Sequence, residues 1–346
     1  MKKLLCIFLA LVMVFALAAC AGDTQKETPN SENPSNSENT DKTEGNPDSA
    51  GDKIKIGLAA KGFTDPFTAM EANMYISVAK ERFGDQVELT ALDCEFDTAK
   101  QCEVLENFIS MGMDAIICQV ADPEAILPYV QKCQEEGIYF ICDLDIDSDW
   151  AYEITSDPTQ DGEMLGQYAV DWFAANNVKD PVILFMQGEV GNWHANSREN
   201  GCKDVLAKNG YEVTATNSAN WARDEALELM ENWCQLYDHI DAVICANDDM
   251  GLGVVQVLKA ENRLDGTLVI SVDALAEAVQ SVMNGELTMT VGKNIDEGCT
   301  TAIQLAVDLV SGVDRSADKE LLVSKDIIAA ENTEIVEKWA ALHGIK

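Results

Sequence analysis

The chain has 346 residues, with 60 acidic and 24 basic side chains, which gives a formal net charge of −36 at pH 7. A surface this acidic repels nucleic acid and anionic lipid headgroups, which argues against both as partners. Hydrophobic residues make up 47% of the chain, and this fraction together with the length predicts about two globular domains with buried cores.

Residues 1–19 have the features of a secretory signal peptide. Two lysines precede an apolar run over residues 4–19, which is too short for a membrane-spanning helix. The run leads into the sequence LAAC, which resembles the lipobox of bacterial lipoproteins. The resemblance implies cleavage before Cys20 and a lipid on its sulfur. The sequence therefore predicts a membrane-anchored protein that faces outside the cytoplasm, at a cell surface or in a periplasm.

The segment over residues 20–52 consists mainly of Ser, Asn, Thr, Glu, Asp, Gly and Pro. After Cys20 it has no aromatic or large aliphatic residue, so it cannot bury enough apolar area to offset the entropy of ordering. We predict a disordered tether of roughly 30 Å between the lipid anchor and a folded body that begins at Lys53.

The chain contains eleven cysteines, of which nine remain once Cys6 and Cys20 are set aside. Nine is an odd number, so the cysteines cannot all pair with one another in disulfides. No C-x-x-C or Cys/His cluster occurs, which argues against a zinc or redox centre. Cys118, Cys142 and Cys245 lie in apolar runs. Export would permit disulfides, but the pattern favours free thiols that act as small core residues. No metal or cofactor is expected.

From Lys53 onward, short apolar runs alternate with longer stretches of helical spacing. Apolar runs separated by helices are typical of parallel sheets that are covered on both faces. We therefore predict an α/β fold with two doubly wound parallel-sheet lobes. The nine predicted strands are Ile54–Leu58, Val87–Leu92, Ala115–Gln119, Ile138–Cys142, Val182–Met186, Glu212–Thr216, Ala242–Cys245, Leu268–Val272 and Thr288–Val291.

Polar and aromatic residues follow the predicted strands, at the edge where doubly wound folds bind their ligands. Aromatic faces cover the C–H surface of a sugar ring, and planar polar groups bind hydroxyls pairwise. This mixture of residue types is therefore typical of a carbohydrate site. The candidate ligand-binding residues are Asp65, Phe67, Asp143, Asn192, His194, Arg198, Trp221, Asn247, Asp273 and Lys293.

From about Lys53 to the C-terminus, the chain resembles the ABC-transporter sugar-binding proteins of the ribose and galactose/glucose type. The resemblance rests on the GEVG loop that leads to Arg198, on Trp221 before the next helix, and on the segments ANDDMGLGVVQVLKA (246–260) and VDALAEA (272–278). It implies the type I periplasmic binding protein fold, in which two lobes are joined by a three-strand hinge.

The resemblance also implies domain boundaries. Residues 53–157 plus 295–322 would form an N-terminal lobe, and residues 158–294 plus 323–346 would form a C-terminal lobe. The lobe crossings are expected near Ser156–Thr159, Lys293–Asp296 and Leu321–Lys325.

Roles for individual residues follow from the same resemblance. Phe67 and Trp221 would sandwich the sugar ring, and Arg198 would bind a hydroxyl or the ring oxygen. Carboxylates and an amide would bind hydroxyls, namely Asp65, Asp143, Asn247 and Asp273. Asn192 and His194 occupy the loop where the galactose/glucose branch generally has His and Asp.

Lys293 occupies a position where the family usually has a neutral amide. Two interpretations stay open: Lys293 pairs with a neighbouring Asp, or it meets a carboxylate or phosphate on the ligand. The candidate residues also have ordinary structural explanations. Asn247 and Asp273 are typical helix caps, Phe67 and Trp221 could be core residues, and Arg198 could form a surface ion pair.

The predicted function is to bind a monosaccharide, galactose/glucose-like or related, and to deliver it to an ABC permease as a monomer. The first alternative is a lipoprotein that senses sugar for a membrane receptor or kinase. A secreted carbohydrate-active enzyme is disfavoured because no G-x-S-x-G, H-E-x-x-H or P-loop motif occurs. A sugar-responsive repressor would need a DNA-binding headpiece where this chain has a signal peptide and tether.

Overall fold

The computed structural model of this chain describes residues 53–144 and 146–346. The predicted signal peptide, Cys20 and the tether lie outside the described residues. Within the part that is described, no helix is long and apolar enough to cross a membrane.

The first lobe is built on a six-stranded sheet in the order β11-β5-β4-β3-β1-β2, in which neighbouring strands run parallel. Its central strand β3 is the run AIIC, and all four residues are buried because helices cover both faces. The strands are β1 (Ile54–Ala60), β2 (Val87–Asp93), β3 (Ala115–Cys118), β4 (Tyr139–Cys142), β5 (Ala151–Thr155) and β11 (Glu320–Leu322).

The second lobe is built on another six-stranded sheet, in the order β12-β10-β9-β8-β6-β7. Its strands run parallel except for the edge strand β12, which is antiparallel to β10. The strands are β6 (Ile183–Gln187), β7 (Ala215–Ser218), β8 (Ala242–Cys245), β9 (Leu268–Val272), β10 (Met289–Lys293) and β12 (Lys325–Ala329). The predicted fold class of two doubly wound α/β lobes is confirmed.

Helices of the first lobe pack on its sheet around two apolar clusters. They are α1 (Pro66–Val78), which continues in a π-helical turn (Ala79–Phe83), α2 (Thr98–Ser110), α3 (Pro123–Glu136) and α9 (Ile295–Val310). The second lobe has one large cluster. Its helices are α4 (Pro158–Ala175), α5 (Trp193–Lys208), α6 (Arg223–Leu236), α7 (Asp248–Ala260), α8 (Ala276–Met283) and α10 (Thr333–Leu342).

Three connections join the lobes, and they are hydrogen-bonded to one another. The chain passes from β5 to α4, from β10 to α9, and from β11 to β12. The Val323 N–H donates to the carbonyl of Thr155 at 2.8 Å, and the Asn294 N–H donates to the carbonyl of Ser324 at 3.0 Å. These bonds make a three-strand hinge.

Three strands were missed, and one was misplaced. The missed strands β5, β11 and β12 have the sequences AYEIT, ELL and KDIIA, whose charged residues interrupt the apolar pattern. The predicted strand over 212–216 lies instead at Ala215–Ser218, where the sequence ATNS is polar and the strand lies at a sheet edge. Three of these strands lie at an edge of their sheet, and β5 lies next to the edge strand β11. A strand near an edge is less completely covered, so it does not require a continuous apolar run.

The predicted core cysteines Cys118, Cys142 and Cys245 lie in strands and are buried. The Cys142 Sγ contacts the carbonyl oxygens of Leu144 and Tyr152 at 3.3 and 3.4 Å. Free thiols are present at Cys94, Cys102, Cys118, Cys133, Cys202, Cys234, Cys245 and Cys299.

Candidate ligand-binding site

A cavity of about 220 Å³ lies between the two lobes, beyond the carboxyl ends of their strands. All ten candidate residues from the sequence line this cavity, so the structure brings the whole predicted set together. They are Asp65, Phe67, Asp143, Asn192, His194, Arg198, Trp221, Asn247, Asp273 and Lys293. Their contact with a ligand stays a prediction.

Residues that the sequence reasoning missed also line the cavity. Lys61 and Phe96 follow β1 and β2, so the same attention to strand ends could have found them. Glu71 and Tyr75 lie on α1, and no local pattern marks them as facing the cavity. The remaining unpredicted lining residues are Thr68, Ile154, Thr155, Ser156, Glu189, Ile295, Gly298 and Val323.

Trp221 lies in a strained turn before α6. Its φ is +66° and that of Asn220 is +48°, a conformation that L-residues adopt at an energetic cost. The Asn247 side-chain amide donates to the Trp221 carbonyl at 3.2 Å and supports the turn. A Cβ on Gly188, in the GEVG loop, would lie 2.3 Å from the indole, so only glycine fits there. The turn therefore fixes the indole against the loop on one side of the cavity.

Phe67 lies in the first turn of α1 and packs against the apolar cluster of the second lobe. The Nζ of Lys293 is 4.8 Å from the centre of the Phe67 ring. The guanidinium carbon of Arg198 is 5.8 Å from the centre of the Trp221 ring. Both distances are within the range of cation–π attraction. Each lobe thus contributes an aromatic ring that lies beside a cation.

Arg198 is buried on α5 rather than exposed in a surface ion pair, so that structural explanation is wrong. Its Nε is 3.2 Å from Asp161 Oδ2, and its Nη2 is 3.6 Å from Asp273 Oδ1. Its Nη1 donates to the carbonyl of Ala246 at 2.5 Å. These contacts hold the guanidinium rigidly beside the cavity.

Lys293 has an internal carboxylate partner. Its Nζ lies 3.9 Å from Asp161 Oδ2, while Lys325 Nζ lies 2.6 Å from the other oxygen of Asp161. Burial, followed by the nearby Arg198, lowers the pKa of Lys293. Burial alone would raise the pKa of Asp161, but its cations Lys293, Arg198 and Lys325 together hold that pKa below the ordinary value. Of the two interpretations of Lys293, the structure favours the neighbouring Asp.

Two carboxyl groups of the first lobe lie close together at the cavity wall. Asp143 accepts a hydrogen bond from the Val120 N–H at 2.7 Å, and Glu71 accepts one from the side chain of Gln119, also at 2.7 Å. Burial, followed by the charge of Glu71, raises the pKa of Asp143 to about 7. Burial likewise raises the pKa of Glu71. Near neutral pH Asp143 can therefore both donate and accept hydrogen bonds.

Two further titratable groups lie in the second lobe. Burial raises the pKa of Asp273 well above its ordinary value, although Arg198 acts in the opposite direction. Burial, together with the positive charges of Lys293 and Arg198, lowers the pKa of His194 well below its ordinary value. His194 is therefore neutral at physiological pH.

Three of the candidate residues also cap helices. The side-chain oxygen of Asp65 accepts from the Thr68 N–H at 2.9 Å. Asn192 caps α5 and Asn247 caps α7 through the same kind of bond, at 3.3 and 3.0 Å. Asp273 is not the cap of α8, which begins after Leu275. The capping explanation is therefore right for Asn247 and wrong for Asp273.

A cavity between two hinged α/β lobes, lined by aromatic and hydrogen-bonding side chains from both, defines the class of two-lobed ligand-binding proteins. Residues 56–314 match the family described as periplasmic binding protein domain, which is well over half of the chain. The chain belongs to this family, as a type I member of the sugar-binding kind. It is accordingly a binding protein and not a carbohydrate-active enzyme.

Similar proteins span nearly the same length. The xylitol-binding protein of Mycolicibacterium smegmatis is 27% identical over 284 residues, which cover 77% of this chain and 80% of that protein. The ribose import binding protein of Bacillus subtilis is 25% identical over 315 residues, covering 90% and 94%. A solved ABC transporter solute-binding protein of Bacillus halodurans with bound myo-inositol is 29% identical, with a TM-score of 0.72 and coverage of 84% and 99%.

Proposed function

We propose that this chain is the extracytoplasmic binding protein of an ABC importer and that its lobes close on one monosaccharide or closely related polyol. The observation that carries the proposal is the convergence of Phe67 and Trp221 with hydrogen-bonding groups of both lobes on one cavity. Its volume of about 220 Å³ is below the roughly 300–1,000 Å³ of pockets for drug-sized ligands, which suits a single small ring.

The relatives widen the range of ligands to be considered. They are named for xylitol and ribose, and the solved neighbour holds myo-inositol. All three ligands are uncharged and carry a hydroxyl on most carbons. The shared property is a dense array of hydroxyls, which matches the carboxyl, amide and guanidinium groups of this cavity. We therefore extend the galactose/glucose prediction to pentoses and cyclitols.

The proposed mechanism is closure around the ligand. The ring stacks on one aromatic side chain, and closure brings the aromatic side chain of the other lobe onto its second face. The ligand stabilises the shut state by its higher affinity for that state. We assign the hinge to the three connections beside Thr155, Asn294 and Val323, with lobe boundaries at residues 53–157 plus 295–322 and 158–294 plus 323–346. The permease would then recognise the closed form.

We also propose that the protein is held at the outer face of the membrane by a lipid on Cys20. The proposal is supported by the LAAC sequence at the end of the apolar N-terminal run. A tether would keep the binding protein near the permease and raise its effective concentration there.

The test is a thermal-shift screen of residues 53–346 with neutral pentoses, hexoses, inositols and alditols. We expect a stabilising shift with one or a few of them, since a ligand that binds only the native state raises the midpoint. Trp221→Ala should abolish the shift. Trp172→Ala, which removes an indole outside the cavity lining, should keep it even if its midpoint is lower. Equal shifts in wild type and Trp221→Ala would contradict the proposed site.

A further inference from the structure

Asp161 is a fully buried carboxylate on α4 that is surrounded by three cations. Its Oδ1 lies 2.6 Å from Lys325 Nζ, and its Oδ2 lies 3.2 Å from Arg198 Nε and 3.9 Å from Lys293 Nζ. Three positive side chains thus share one central carboxylate that does not reach solvent. Burying a charge without such a partner is strongly unfavourable.

Arg198 and Lys293 line the cavity, whereas Asp161 and Lys325 lie behind it. Asp161 therefore supplies a counter-charge to the cavity cations from outside the cavity lining. A ligand carboxylate or phosphate would have to compete for charges that the protein already pairs.

The other ionisable groups of the cavity wall are mostly carboxyl groups. Five carboxylates line it, namely Asp65, Glu71, Asp143, Glu189 and Asp273, against the three cations Lys61, Arg198 and Lys293. Lys61 also lies near protein carboxyl groups, since its positive charge lowers the pKa of both Glu71 and Asp143. Each cation of the wall therefore lies near carboxyl groups of the protein, with which a ligand anion would have to compete.

We propose that Asp161 is the residue that sets ligand charge: by supplying the counter-charge for Arg198 and Lys293, it makes the site select an uncharged polyol over the corresponding acid or phosphate. The inference rests on the proposed function and adds to it the residue that determines the preference for an uncharged ligand. Asp161 does not line the cavity, so it is a positioning residue that acts through Arg198 and Lys293.

The experiment measures affinity by calorimetry on the full-length chain, with pairs of ligands that share a carbon skeleton and consist of one neutral and one anionic member. The pairs are D-glucose with D-glucuronate, D-galactose with D-galacturonate, D-ribose with D-ribose 5-phosphate, and myo-inositol with myo-inositol 1-phosphate. Wild type should bind a neutral member at least about tenfold more tightly than its charged counterpart, because Arg198 and Lys293 are already paired with protein carboxyl groups and a buried anion would lose its hydration without gaining a free cation. In Asp161→Asn this ratio should fall by about tenfold or more, because two cavity cations lose their carboxylate.

Two variants separate this role from simple structural support. Asp161→Glu keeps the carboxylate and should restore the wild-type ratio. Asp308→Asn removes a partner of Arg315 in an ion pair outside the cavity lining and should leave the ratio unchanged. A loss of stability alone would weaken both members of a pair equally and would leave their ratio where it was.

Lys325→Met provides a second route if Asp161→Asn does not fold. It removes a cation that is outside the cavity lining, which leaves Asp161 more negative toward Arg198 and Lys293. The preference for the neutral member should then increase. The inference would be overturned if a folded Asp161→Asn or Lys325→Met had the wild-type ratio. It would also be overturned if wild type preferred the charged member. Neither result would contradict sugar binding itself. Failure of wild type to bind any member of the pairs would overturn the proposed function as well.

Discussion

The ammonium of Lys293 lies 4.8 Å from the ring centre of Phe67 and so joins the last residue of β10 in the second lobe to an aromatic side chain of the first. The residue after Lys293, Asn294, is hydrogen-bonded to Ser324 in a neighbouring hinge connection. The ring, the cation and the hinge therefore meet at one side of the cavity. A ligand that stacks on Phe67 is in direct reach of the elements that must move when the lobes close.

Removing the Phe67 ring should weaken ligand binding. Stacking on an aromatic face contributes on the order of 1 kcal/mol or more, so Phe67→Ala should reduce affinity by roughly tenfold. Phe67→Leu keeps apolar contact with the second lobe but lacks the flat face. Its affinity for the ligand should therefore lie between those of wild type and Phe67→Ala. Calorimetric titration with the best ligand of the screen would measure both, and equal affinity in Phe67→Ala and wild type would contradict stacking.

The buried carboxylate of Asp248 should be important for the stability of the second lobe. It accepts hydrogen bonds from the Ser271 and Thr290 hydroxyls at 2.5 and 2.7 Å and from the Leu275 N–H at 2.8 Å. Asp248→Ala leaves these donors unpaired and should lower the free energy of unfolding by about 2–4 kcal/mol, measured by urea denaturation.

The neighbouring Asp249 offers a matched control. It pairs with Arg223, and both side chains keep some exposure, 17% and 31%. Asp249→Ala should therefore cost less than about 1 kcal/mol. Similar losses for the two alanine variants would contradict the importance of the buried network.

Stability of the unliganded protein should fall as the pH rises from 5 to 7.5. The pKa of Asp143 is raised to about 7 in the folded state by burial and then by Glu71, against an ordinary value of 3.8. Between pH 3.8 and 7 the folded state binds more protons than the unfolded chain. The stability that the protonated Asp143 contributes is therefore fully present below pH 3.8 and is lost as the pH rises through about 7. Asp248 changes in the same direction, because burial raises its pKa to about 7.

Asp143→Asn should reduce this pH dependence by about 2 kcal/mol between pH 5 and 7.5, as measured from urea denaturation curves. Glu103→Gln, which changes an exposed carboxylate on α2, should retain the wild-type slope. An equal slope in Asp143→Asn and wild type would contradict the raised pKa of Asp143.

The native thiols should differ in reactivity according to burial. Cys102 and Cys234 are partly exposed, whereas Cys202 and Cys245 are buried and burial raises the pKa of both thiols. A thiol reagent should label Cys102 and Cys234 within minutes, and the double Ser variant should remove this fast phase. Labelling should extend to the buried thiols only in denaturant. Fast labelling of Cys245 in the native protein would contradict its place in the core.

The lipid anchor can be tested in cells. Cys20→Ser should abolish incorporation of a labelled fatty acid and release the protein from the membrane fraction, because the modified sulfur is lost. Cys6→Ser, within the predicted signal peptide, serves as the control and should leave both properties unchanged. Equal membrane retention of Cys20→Ser and wild type would contradict lipid anchoring at this residue.

Much of the cavity wall was predictable because parallel strands deliver their following residues to one edge. Asp143, Asn247 and Asp273 each come within two residues of a buried strand, and the apolar runs AIIC and AVIC mark such strands clearly. Trp221 was found although its strand was misplaced, since the turn that follows the strand is where the chain reaches the cavity.

The charges behind the cavity were not predictable in this way. Asp161 lies in the first turn of α4, and Lys325 begins a strand that pairs at the sheet edge, so neither follows one of the apolar strands that the sequence marks. Their meeting depends on how the hinge connections are packed together, which no local periodicity records. The same holds for Glu71, which faces the cavity because α1 begins beside it. Tertiary packing rather than sequence pattern determines these positions.

The most direct test of the account is calorimetric titration of residues 53–346 with the neutral ligand that gives the largest thermal shift. We expect one ligand per chain in wild type and no detectable binding in the double variant Phe67→Ala/Trp221→Ala, with both proteins folded by circular dichroism. Unchanged affinity and stoichiometry in the double variant would show that the ligand binds elsewhere and would contradict the cavity between the lobes as the sugar site.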